Sequence, residues 1–272
     1  MSVRSMNAFA VPAAVLSIFF CIMSAVLPAT GDEAAVCRDI IAKNQAAVVT
    51  LEVVAVNRMS MFGEESKSEN KSEAIGMVID PSGLIVSSLA MINPSEFFND
   101  LISSMSSESG MKQSGEITGL KVLLPGGQEL PAKVVLRDKD LDLVFIRLLK
   151  APEKPLPFMD LNQECSSAVL DQILVLGRLG VVANRTVYAD LCRVRAVIEK
   201  PRTFFVLNDA GTYGGPAFTL DGKLLGIMTI RKLPKGAVSL SGVSGNVLPV
   251  VLPAMDVAEV AREALTAGKG KK

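Results

Sequence analysis

Residues 207–229 read LNDAGTYGGPAFTLDGKLLGIMT. Gly211, Gly214, Gly215 and Pro216 make this a glycine-rich turn, and TLDGKLLGIMTI (219–230) then reads as strand, turn, strand. Outward from this point the grammar stays that of short strands. Upstream lie DQILVLGRLG (171–180), RTVYADLCRVRAVIE (185–199) and TFFVLND (203–209); downstream lies GNVLPVVLP (245–253). AMDVAEVAREALTAG (254–268) breaks the pattern, because Met255, Val257, Val260, Ala261 and Leu265 fall at helical spacing. The residues after it form a basic tail, so 254–272 is expected to be a closing helix and its tail.

The first half has the same style. AAVVTLEVVAV (46–56) is a continuous β-branched run, and IGMVIDPSGLIVSSLAMI (75–92) reads strand, Asp80-Pro81-Ser82-Gly83 turn, strand. LKVLLP and ELPAKVVLRD flank a Gly126-Gly127-Gln128 turn as a hairpin, and DLVFIRLL (142–149) is a further strand. EAAVCRDIIAKN (33–44) reads as a short leading helix. MFGEESKSENKSEA (61–74) is expected to be a polar loop, and 93–118 a long insertion holding one short helix and a flexible Ser/Gly stretch. APEKPLP (151–157) carries three prolines and opens a linker over 151–164. The expected architecture is all-β: one barrel half over 32–150, a second over 165–253, and a C-terminal helix.

Composition narrows the chemistry. Lys plus Arg and Asp plus Glu number 28 each, which argues against a nucleic-acid binder. The chain of 272 residues contains no histidine, so it supplies neither a Ser-His-Asp nor a Cys-His catalytic set, nor a His metal site. Tryptophan is also absent, leaving the core to aliphatic residues and Met. Asp138, Asp140 and Asp142 alternate as in a calcium loop, but the required glycine position is Leu143 and the twelfth position is Leu149. No metal and no cofactor is expected. A Ser-Lys dyad built on Ser87 or Ser88 has no support in the spacing. Asn70-Lys71-Ser72 and Asn184-Arg185-Thr186 are sequons, with meaning only in a eukaryotic secretory pathway.

No charged residue lies between Arg4 and Asp32. A basic start, an apolar middle and small residues near the end describe a secretory signal peptide over 1–31, cut after Gly31 or Ala29. An uncleaved membrane anchor is the alternative. Either way the remainder is exported, to a periplasm or beyond the cell. Cys21 leaves with the leader; Cys37, Cys165 and Cys192 then read as buried small side chains, with a Cys165–Cys192 bridge permitted in an oxidising compartment.

Four blocks in order resemble the protease domain of HtrA/DegP-type, trypsin-fold serine peptidases: residues 75–92, residues 121–148, residues 207–229, and the closing strand with its helix. The resemblance covers roughly 38–266, implies a pair of six-stranded barrels, and includes no following PDZ domain. Carried across by motif, the family's catalytic His falls on Ala90, its Asp on Asp142 and its nucleophilic Ser on Tyr213. Gly211, Tyr213 and Gly214 occupy the turn that forms the family's oxyanion hole. On this reading hydroxyl and base are both missing, and the chain is a pseudoprotease that binds an extended peptide, an unfolded segment or a complex partner. Two alternatives stand beside it. One is an active hydrolase with a non-classical or partner-completed catalytic set. The other is an assembly module of an exported complex that docks through 93–118.

Overall fold

The computed structural model describes residues 32–61, 64–105, 111–208, 211–232 and 247–267. The expected leader over 1–31, with Cys21, lies outside them. Helix α1 (Glu33–Asn44) leads through a single 3-10 turn into strand β1 (Val48–Met61). Then come β2 (Glu64–Asp80), β3 (Leu84–Ser88), α2 (Leu89–Ile92), α3 (Pro94–Met105), β4 (Met111–Leu123), β5 (Glu129–Asp138) and β6 (Leu143–Leu148). These six strands close into an antiparallel barrel in the order β1-β2-β3-β6-β5-β4. The second half supplies β7 (Gln172–Arg178), β8 (Val187–Ile198), β9 (Phe204–Leu207), β10 (Pro216–Thr219), β11 (Leu224–Lys232) and β12 (Val247–Pro253). They close in the order β10-β11-β12-β9-β8-β7, and α4 (Ala254–Ala267) follows. The architecture is therefore two closed six-stranded barrels with a C-terminal helix. No helix of the described residues is long and apolar enough to cross a membrane.

The local signals explain the corners. At the β2–β3 turn the Ser82 amide donates to Asp80 Oδ1 (2.8 Å) and the Gly83 amide to the Asp80 carbonyl (2.9 Å). Gly83 takes φ +90°, which only glycine adopts cheaply. Both faces of β3 and most of β6 are buried, since one face fills the first barrel and the other meets neighbouring elements. Phe145, Leu143 and Ile146 are fully enclosed there. Helix α4 sets Val257, Ala258, Ala261 and Ala264 into the same core. Arg147 Nη2 donates to its Ala264 carbonyl (3.2 Å), so a cation meets the negative end of the helix.

Two expectations fail in the first barrel. The polar stretch 61–74 is not a loop: from Glu64 onward it is strand, paired with β1 in continuous register from Val48↔Met77 to Met61↔Glu64. The stretch 93–118 is not a separate insertion either. It holds α3 and the start of β4, which pairs with β1 from Met61↔Met111 through a bulge at Val54/Ala55 to Thr50↔Leu123. Together β2, β1 and β4 form a three-stranded ribbon that runs on past the barrel strands. Alternation is absent in SKSENKS (66–72) because those side chains are exposed, with no core beneath to select apolar residues. Helix α3 lies on this ribbon, with Ser95 Oγ donating to Asn57 Oδ1 (2.9 Å). Residues 106–110 of the expected flexible stretch lie outside the described residues. Cys37, Cys165 and Cys192 are thiols, and the permitted bridge is not formed. Cys192 packs inside the second barrel, and Cys165 Sγ sits 3.6 Å from Thr219 Oγ1.

Candidate functional site

The corner where β3 ends and β6 begins sets the site. Asp142 stands immediately before β6 with φ +58°, a left-handed backbone that Asp tolerates better than most residues. The turn aims its carboxylate inward, and the residue is only 4% exposed. Three donors meet it. Oδ1 accepts from the Ala90 amide (2.8 Å), while Oδ2 accepts from Ser88 Oγ (2.5 Å) and from the Ile230 amide of β11 (3.0 Å). The Asp142 carbonyl also accepts from the Leu89 amide (2.9 Å). One side chain therefore ties the β3–α2 corner of the first barrel to a strand of the second.

Burial pushes the Asp142 carboxyl above the ordinary carboxylate range; the three hydrogen bonds and the Lys232 charge oppose that shift without reversing it. Geometry permits this. A protonated Oδ2 donates to Ser88 Oγ, which then acts as acceptor, and both amides keep their acceptors.

Ala90 lies on α2, 3% exposed, with its amide on Asp142. Beside the pair is a small recess of about 10 Å³ lined by Ala90, Asp142, Glu96, Phe97, Lys139 and Lys232, among others. Lys139 pairs with Glu96, and Lys232 Nζ lies 5.0 Å from the centroid of the Phe97 ring.

The glycine-rich turn closes on the same corner. Gly214, at φ +82°, approaches the first barrel so closely that a Cβ there would lie 2.4 Å from the Ile75 carbonyl oxygen and 2.8 Å from Ser87 Oγ. Its amide donates to the Met228 carbonyl (2.8 Å), and the Gly215 amide donates to the Thr212 carbonyl (3.1 Å). The Gly214 amide is thus engaged within the fold. Thr212 is buried beneath the turn, with its hydroxyl 2.8 Å from Tyr188 Oη. Tyr213 is half-buried. Burial first, and the negative charge of Asp142 second, raise its phenol above the ordinary value near 10. Asp142 and Tyr213 therefore share one electrostatic site, and at neutral pH the phenol stays protonated.

Sequence reasoning named Ala90, Asp142 and Tyr213, and the structure brings Ala90 and Asp142 into direct contact. It did not find the partners. Ser88 and the Ile230 amide hold the carboxylate, while Phe97, Lys139 and Lys232 line the recess. No local pattern marks them, because they meet only through the tertiary fold. The imagined Ser-Lys dyad has no hydroxyl to offer: Ser87 Oγ donates to the Ile75 carbonyl (2.6 Å) and Ser88 Oγ to Asp142. Among the described residues no group of three or more potential metal-ligating acids, thiols or imidazoles is gathered.

The trypsin-like peptidase domain family matches this chain over residues 74–227, from β2 into β11. Relatives are named probable periplasmic serine endoproteases, DegP-like. The one from Rickettsia conorii is 24% identical over 171 residues, covering 59% of this chain and 29% of that protein. The one from Brucella suis is 30% identical over 120 residues, covering 42% and 23%. The one from Bartonella henselae is 27% identical over 167 residues, covering 56% and 29%. The chain thus spans less than a third of the length of each of these relatives. With paired six-stranded barrels and a match that takes in both sides of the Asp142 corner, the chain belongs to the trypsin-like peptidase domain family.

Proposed function

We propose that this chain is exported and uses its trypsin-like cleft to hold extended peptide or protein segments without hydrolysing them. The observation that carries the reading is the environment of Asp142. Its oxygens face Ser88 Oγ and two backbone amides, the neighbouring position is Ala90, and no histidine exists anywhere in the chain. Serine-type hydrolysis needs a hydroxyl and an adjacent base to take its proton. Without them, the turn and binding surface leave at most about 10³–10⁴-fold over water. Tyr213 does not restore the pair, since its phenol is held protonated and the nearby carboxylate is already hydrogen-bonded. What remains suits binding: a barrel pair, a recess beside Ala90, and the outer edges of the β2–β1–β4 ribbon, to which an extended segment adds as a strand. Export is supported by the uncharged apolar stretch before Asp32 and by relatives named periplasmic.

The test is incubation of the purified protein with an unfolded, fluorescently labelled protein chain, beside the Tyr213→Phe variant. The expected result is binding with no fragments above buffer. Binding should weaken in Tyr213→Ala and in Ala90→Trp, which narrow or reshape the cleft. Fragmentation that disappears in Tyr213→Phe would make Tyr213 catalytic and overturn the reading. Undiminished binding by both cleft variants would move the binding surface elsewhere.

A further inference from the structure

A second cavity, of about 130 Å³, opens between the β4–β5 turn and the segment following β7. It shares no lining residue with the recess beside Asp142. Arg178, the last residue of β7, forms part of its wall. The Arg178 Nε donates to the Val48 carbonyl (2.6 Å), Nη1 to the Arg185 carbonyl (2.9 Å) and Nη2 to the Gln45 carbonyl (3.0 Å). All three acceptors are neutral. A guanidinium carries five N–H donors, so two remain. Among the described residues no carboxylate pairs with this cation, and burial alone moves its pKa, downward. A partly buried charge held without a counter-charge is unusual, because its desolvation is ordinarily offset by an ion pair.

A second feature points the same way. Thr50 lines the same cavity at 3% exposure, and its hydroxyl finds no hydrogen-bond partner among the described residues. Arg185 adds a second cation. Its Nε and Nη2 bind Glu73 Oε1 (2.9 and 2.5 Å), which leaves Nη1 uncommitted by that pair. Asn184 and Arg185 both take left-handed backbone angles, φ +51° and +53°, which holds this corner in a fixed shape. Leu124 and Pro125, beside Gly126 and Gly127, contribute apolar surface to the lining. One acid is present, Glu129, and Lys121 holds it at 2.9 Å.

We propose that this cavity binds a carboxylate carried by an extended peptide, the acid meeting Arg178 and Thr50 and an adjacent apolar side chain lying on Leu124 and Pro125. The missing counter-charge and the unpartnered hydroxyl select an anion. The apolar surface selects an acid with a hydrophobic neighbour over a bare inorganic ion.

Fluorescein-labelled Ala-Leu-Glu-Leu-Ala, blocked at its C-terminus, is titrated with the full protein by anisotropy beside the Ala-Leu-Gln-Leu-Ala peptide. The Glu peptide should bind about 10-fold or more tightly than the Gln peptide, the usual worth of a charge-assisted hydrogen bond. Thr50→Val keeps the side-chain shape and should weaken Glu-peptide binding about 5-fold or more while leaving the melting temperature unchanged or higher, since it removes an unsatisfied hydroxyl. The Glu-over-Gln preference should survive Tyr213→Ala and Ala90→Trp even where those variants weaken both peptides equally, which separates this cavity from the cleft. Equal binding of the two peptides would overturn the proposal. So would Thr50→Val retaining full affinity for the Glu peptide, Tyr213→Ala erasing the Glu-over-Gln preference, or inorganic phosphate displacing the peptide at concentrations as low as the peptide itself.

Discussion

Asp142→Ala and Asp142→Asn measure what the buried carboxylate does for the fold. In the alanine variant Ser88 Oγ and the Ala90 and Ile230 amides lose their acceptor together. A buried donor left unsatisfied costs about 1–3 kcal/mol, and the serine hydroxyl can rotate toward another acceptor. Alanine at φ +58° adds about 1 kcal/mol. The expected loss is about 4–6 kcal/mol, a large part of the roughly 5–15 kcal/mol of an ordinary domain. Asparagine is isosteric and tolerates the left-handed backbone, but its amide nitrogen must face either the Ala90 or the Ile230 amide. That single donor–donor conflict gives about 2–3 kcal/mol. Far-UV circular dichroism during urea unfolding reads both, since the chain has no tryptophan for fluorescence. The pH dependence has a definite sign. The folded-state carboxyl is raised by burial, so the folded chain binds the proton more readily than the unfolded one. The stability this group contributes is complete below the ordinary carboxyl range, about pH 4, and declines as pH rises through the raised folded value. The Asn variant lacks that titration, so the wild-type advantage should be widest in acid and narrow toward neutrality. An alanine variant within about 1 kcal/mol of wild type, or a gap that widens with pH, would refute the account.

Gly177→Ala places a Cβ 2.5 Å from Tyr188 Cζ and 2.6 Å from Thr212 Cγ2. It should cost about 1–3 kcal/mol and alter the near-UV circular dichroism, which is readable because the chain has only two tyrosines. An unchanged spectrum and melt would show that the Tyr188–Thr212 contact does not set the turn. Gly214→Ala combines φ +82° with a contact on the Ile75 backbone oxygen that no rotamer relieves. The loss should exceed about 4 kcal/mol and appear as failure to accumulate soluble folded protein, and a variant that melts like wild type would contradict the close approach of the two barrels.

Legibility followed the reach of each signal along the chain. The Asp80-Pro81-Ser82-Gly83 turn was readable because its hydrogen bonds close within four residues. The β3 and β6 strands were readable because burial on both faces favours apolar runs such as LIV (84–86) and LVFI (143–146). The ribbon was not. Glu64 to Glu73 has little strand propensity of its own and is held extended by the β-branched β1 alongside it. An outer strand with water on its exposed side has no need of apolar alternation, so a charge-rich strand and a charge-rich loop look the same in sequence. Gly115 shows the same limit. It permits α3 to close on the ribbon, where a Cβ would lie 2.9 Å from Ser95 Oγ, but its meaning depends on a helix residue twenty positions earlier.

The site divides along the same line, and the division bears on why an acid stands at Asp142 beside Ala90 and Tyr213. Motif reading places the three residues but assigns none of them work. The hydrogen bonds do. Asp142 serves donors from both barrels, whereas the Ala90 side chain makes no hydrogen bond and Tyr213 meets Asp142 only through its field. Replacing a residue that only reacts leaves the surrounding donors and acceptors paired; replacing one that also satisfies three buried donors does not. On the proposed binding function, an imidazole and a serine hydroxyl in this cleft are dispensable to folding, while the carboxylate is not. On that proposal the acid has no base to orient, and its work in this fold is to join the two barrels through its hydrogen bonds.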